Sequence, residues 1–128
     1  MRERRKAAGF KAATSWVATD TALTSYSSHR VLDARSLAMH AVIAQKIERD
    51  PALIEIPRRN LARWKSRSGD SPPAWLDEWR SIFGQPWPAI AALITELSEN
   101  AARLRQSSPF AGVLSTSERR RIYEAFRA

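Results

Sequence analysis

Cysteine is absent from the 128 residues. That excludes a disulfide scaffold, a thiolate zinc site and a cysteine nucleophile, and it fits a reducing cytoplasm. Glycine is scarce, with 4 in the chain, which argues against a turn-rich β-fold and a phosphate-cradling loop. Neither a GxxxxGK[ST] nor a GxSxG pattern occurs. No apolar run approaches the roughly 18 residues of a membrane span. The basic opening MRERRKAAGFKAATSWVATD lacks the apolar core and cleavage site of a secretory signal. The expectation is a cytoplasmic protein with no membrane contact.

Histidine is rare too, and neither His29 nor His40 has a ligand partner at metal-site spacing. His40 stands among apolar helical residues and reads as a core histidine. Asp77 and Glu78 are adjacent, so on a helix they diverge by about 100° and do not converge on one substrate. No catalytic set, metal or cofactor is expected; the chain reads as a protein that binds.

What is present is apolar and basic. Hydrophobic residues make up 44% of the chain, including 5 Trp, enough for one real core. The net charge of +8 is unevenly placed. Residues 1–67 hold 14 Lys/Arg against 6 Asp/Glu, whereas residues 68–128 hold 7 of each. Such asymmetry suits an anionic partner, nucleic acid or an acidic protein face, and equally a solvated basic surface.

Periodicity predicts helices throughout. Residues 1–30 show no clear period and read as a basic, mobile arm with at most a turn near Lys11–Val17. From Leu32, Leu37, Ala41, Ala44 and Ile47 share a helical side, with Met39 and Ile43 beside them; Asp33 suits the N-cap and Asp50-Pro51 the end. In PALIEIPRRNLARWKSR, Pro57 either kinks one helix or sits in the first turn of a new one, and the second is favoured. AWLDEWRSIFG sets Trp75, Leu76, Trp79, Ile82 and Phe83 on one face before Gly84. A helix from Pro88 carries Ile90, Leu93, Ile94 and Leu97 inward, and Ser98 caps the next. Ser115 and Glu118 have capping-box spacing and open SERRRIYEAF, with its stripe of Ile122, Tyr123 and Phe126. The fold expected is all-α: an irregular bundle of five to six short helices over residues 31–128, preceded by the arm of residues 1–30.

Between the last two helices lies SSPFAGVL, which is not built like a turn. Phe110, Val113 and Leu114 either fold onto the core or wait for a partner. The run LITELSENAARLRQSSPFAGVLSTSERRRIYEAF, together with SLAMHAVIAQKIERDPALI, RNLARWKSR and AWLDEWRSIF, resembles small helical bacterial proteins encoded beside toxin genes. The resemblance spans about residues 32–126 and points to antitoxins of type II toxin–antitoxin pairs. It implies a protein that neutralises a co-encoded toxic enzyme, of nucleotidyltransferase or kinase type, by occluding its active site. Arg103, Arg105, Gln106, Ser107, Ser108, Pro109, Phe110 and Arg120 are the expected toxin-binding residues. The alternative is a regulator binding operator DNA through the basic half, with Arg58, Arg59, Arg63, Lys65 and Arg67 at the phosphates. Ile56-Pro57-Arg58-Arg59-Asn60 does place polar residues early in a helix, as a helix-turn-helix wants.

Overall fold

A computed structural model describes the backbone of residues 16–126 and the side chains of residues 32–126. Six α-helices and no strand occur among the described residues. They are α1 (Trp16–Arg49), α2 (Glu55–Ser68), α3 (Ala74–Ile82), α4 (Trp87–Ile94), α5 (Glu99–Arg105) and α6 (Thr116–Ala125), with a 3₁₀ turn at Pro51–Ile54. No helix among the described residues is long and apolar enough to cross a membrane. The chain divides into two units, Met1–Leu32 and Asp33–Ala128. Of the arm expected over residues 1–30, residues 1–15 lie outside the described residues. From Trp16 the backbone is helical, so Asp33 is interior to α1 and caps nothing.

The second unit holds the core. On α1 the buried residues are His40, Ile43 and Ile47, spaced three and four apart and so stacked on one face. Asp50-Pro51 ends this helix, as the pre-proline restriction requires. Pro57 sits in the first turn of α2, where its missing N–H would have no intrahelical partner anyway. It is buried there. Gly69 closes α2 at φ 68°, a conformation that costs glycine little.

α3 brings Leu76, Trp79 and Ile82 inward, followed by Phe83, and Trp79 is fully buried. Trp75 is the exception: it is exposed and meets the half-buried Trp64 of α2 edge-on at 5.7 Å. At 100° per residue Trp75 lies only about 40° from Trp79 and so shares its inward arc, but it stands in the first turn of α3 and packs on Trp64 there instead of in the core. Leu97 also departs from expectation. α4 ends at Ile94, so Leu97 lies in the connection to α5 and is 84% exposed. Ser98 caps α5, its hydroxyl accepting from the Ala101 N–H at 3.1 Å. The Ser115–Glu118 capping box is complete in both directions.

The segment between α5 and α6 folds onto the core. Phe110, Val113 and Leu114 are all buried. The Phe110 ring lies 6.2 Å from Trp79, 5.6 Å from Phe83 and 6.0 Å from His40, in edge-on or tilted contacts. These are the offsets that aromatic quadrupoles prefer. Of the two fates open to this loop, its apolar side chains take the first.

Candidate functional site

Two buried polar residues hold the clip that residues 107–114 form, and a third closes the end of α4 beside it. Asn60 of α2 is 6% exposed, and its amide donates to the carbonyls of Pro109 at 2.8 Å and Ala111 at 3.0 Å. Its own carbonyl accepts from Arg63 at 2.7 Å. One side chain thus satisfies two loop carbonyls that helix and sheet ladders cannot reach. His40 of α1 donates from Nδ1 to the Ser36 carbonyl at 2.7 Å. A carbonyl only accepts, so in the neutral ring that burial favours Nε2 carries no proton and accepts from the Ser108 hydroxyl at 2.8 Å. The Ser108 oxygen in turn accepts from the Phe110 N–H at 3.3 Å. Burial holds the His40 pKa below its ordinary 6.5; the bond to Ser36 opposes this and the nearby Arg105 charge adds to it.

Arg105 is the third. Its side chain is 1% exposed. It donates to the carbonyls of Ile94 at 3.2 Å and Glu96 at 3.0 Å, and reaches the Asp33 carboxylate at 3.4 Å. The cation therefore closes the carbonyl end of α4, where a positive charge is favoured.

The expected toxin-binding set is divided by this geometry. Arg105, Pro109 and Phe110 are interior. Ser107 is spent inside the fold, accepting from the Trp79 indole at 3.0 Å and donating to Leu104. Ser108 is held by His40 as described. None of these five presents a free group to a partner: Ser107, Ser108, Pro109 and Phe110 shape the clip, and Arg105 holds the end of α4. Arg103 is exposed but paired in a fork to Glu78 of α3 at 2.8 and 3.0 Å. That pairing lowers the Glu78 pKa and raises that of Arg103. Gln106 and Arg120 are exposed.

Arg120 belongs to a face that the residue pattern only half disclosed. α6 has no fully buried residue. Ile122 packs half-buried against the core, and at about 100° per residue Arg120 points almost oppositely to it. Arg119, Arg120 and Arg121 are exposed, and Tyr123 is 42% exposed. The Arg35 guanidinium of α1 lies over the Tyr123 ring at 4.4 Å. The start of α6 is fixed by Lys46 of α1, which donates to the Val113 carbonyl at 2.9 Å and to Glu118 at 2.8 Å. Lys46, followed by the Ser115 N–H, pulls the Glu118 pKa down to about 2. Clip, capping box and α6 are thereby one braced unit.

The basic residues of α2 also divide. Arg63 is tied to Asn60. Arg59 and Arg67 are exposed. Arg58 and Lys65 line a groove of about 470 Å³ between α2 and α3, shared with Arg80 and Phe83. Among the described residues, no three His, Cys, Asp or Glu side chains group as a metal site. No family model matches the chain, and no curated protein or solved structure matches it significantly.

Proposed function

We propose that this protein acts by binding, and that its partner is a toxic enzyme encoded beside it, neutralised by occlusion of the active site. The observation that carries the reading is the outward face of α6. Arg119 and Arg120, within about 60° of Tyr123 around the helix, flank an exposed tyrosine that already carries a stacked arginine. Arginine and tyrosine are the residues that dominate interface energies, and they do so best when held in place beforehand. Here Lys46 and the capping box do the holding. The resemblance over residues 32–126 supports the identity of the partner. Enzymes that transfer nucleotidyl or phosphoryl groups carry acidic metal-binding residues, and the Arg119–Arg120 pair complements such a cleft in charge.

The contact surface differs from the one the residue string suggested. Phe110 acts from inside by anchoring the clip and Arg105 by closing the end of α4, whereas Arg120 and Tyr123 meet the partner. Growth rescue tests this. Cells expressing the neighbouring toxin should grow with the wild-type protein and arrest with the Arg120→Glu/Tyr123→Ala variant, while that variant keeps the wild-type melting temperature to within a few degrees. Full rescue by the variant removes α6 from the interface.

A further inference from the structure

We propose that the groove between α2 and α3 binds the sugar–phosphate backbone of nucleic acid. Its cations come from two elements and converge. Arg58 and Lys65 are seven residues apart on α2, so they share one face about 10 Å apart along the axis. Arg80 reaches the same groove from α3. No carboxylate lines it. The acid nearest Arg80 is Asp77, at 3.7 Å between side chains that are each about half exposed, too loose and too wet a pair to neutralise it. The Arg58 guanidinium lies 5.6 Å from the Phe83 ring centroid, which gives that cation a preferred position. The Ser66 hydroxyl lines the same groove and adds a neutral donor.

The chemistry of the floor selects the ligand class. Leu61 and Phe83 are 4% and 6% exposed, so they hold the groove open without offering an apolar anchor. Protein partners are gripped mainly by buried anchors. A phosphodiester chain needs none, because its affinity comes from cations displacing condensed counterions. No exposed aromatic lines the groove to stack on a base, so the contact is to phosphates and independent of sequence. Arg59 and Arg67, exposed on the same helix, widen the positive field around it. This inference does not depend on the toxin reading, since it concerns a different surface and a different ligand.

The test is fluorescence anisotropy of the full chain, without any toxin, on a labelled mixed-sequence duplex of about 20 base pairs across a salt series. Affinity should fall log-linearly with salt, with a slope of about −0.9 per phosphate neutralised. The Lys65→Gln/Arg80→Gln double variant should flatten that slope by about 1.8, with no change in melting temperature. Arg80 is exposed and pairs only loosely with Asp77, and glutamine keeps most of the half-buried Lys65 stem, so an unchanged melting temperature checks that the fold is kept. A labelled single strand behaving in the same way would support the site equally. An unchanged slope in the double variant would overturn the proposal. So would polyglutamate competing as well as duplex at equal charge concentration, since that would make an acidic protein the ligand.

Discussion

Asn60 is the residue on which the clip most depends, and it is polar, buried and easily overlooked in the basic run of α2. Its two donors hold the Pro109 and Ala111 carbonyls. Asn60→Ala leaves both without a partner and should lower stability by about 2 kcal/mol, within the range for orphaned buried groups, read by urea denaturation. Phe110→Ala should cost about 3–5 kcal/mol, because three rings and no water would border the void. Arg105→Glu places a negative charge against the Ile94 and Glu96 carbonyls. It should abolish folding rather than loosen a complex, as a soluble-expression assay would show. His40 gives a pH dependence of defined sign. Its folded pKa is lowered, so the folded state binds fewer protons than the unfolded state as pH falls below 6.5. Stability should therefore be full above that value and decline beneath it. In His40→Gln, which keeps a hydrogen-bonding side chain but cannot titrate, the decline between pH 7 and 5 should be shallower.

At the scale of the element, the sequence was most legible where a local rule has no competitor. The capping box of α6, the Ser98 cap of α5 and the position of Pro57 in the first turn of α2 follow from a few adjacent residues, and each is present. Trp75 and Leu97 misled because helical phase gives a face only while the helix lasts and only near its centre. α4 stops at Ile94, before its pattern does. The start of α1 misled for the opposite reason: nothing in the polar stretch before Leu32 favours helix by period, yet the helix begins at Trp16. The interior role of Arg105 was not legible, because it depends on where the end of α4 falls in space. Arg103, two residues earlier, instead faces solvent and Glu78.

The α1–α6 brace makes its own prediction. Lys46 and the Ser115 N–H both favour ionised Glu118, so its bonds are intact above the ordinary carboxylate range and weaken only as pH approaches about 2. Lys46→Met should move the Glu118 titration upward toward 4.5, observable by carboxyl-resolved NMR. An unmoved titration would mean that the capping box alone sets it. Gly112, at φ 99° with Ile56 3.4 Å from where a Cβ would stand, makes the turn of the clip. Gly112→Ala should destabilise by about 1–2 kcal/mol through its left-handed backbone, measurable in the same denaturation series.

For the whole molecule, the fold class was open to reading because no strand pattern competes with the helical one, and the surface was not. The surface carries two separate cationic features, one of them on the half of the chain whose net charge is zero. Arg58 and Lys65 of α2 join Arg80 in a groove, while Arg119 and Arg120 of α6 share the side of Tyr123, over which Arg35 lies. Between them stands a core in which the SSPFAGVL segment is a wall, with its apolar side chains inward and its hydroxyls engaged within the fold. Of the two fates the sequence left open for this segment, its apolar side chains take the inward one, and the contact surface proposed is the outward face of α6. The central claim is that this surface closes on a toxic neighbour. It is tested most directly by co-expressing the protein with the product of the adjacent gene, purifying through a tag on this chain, and measuring the mass of what elutes. The account predicts a stoichiometric complex that is stable to size exclusion and is lost in the Arg120→Glu/Tyr123→Ala variant. Elution of the wild-type protein alone, beside a neighbour harmless when expressed by itself, would contradict it.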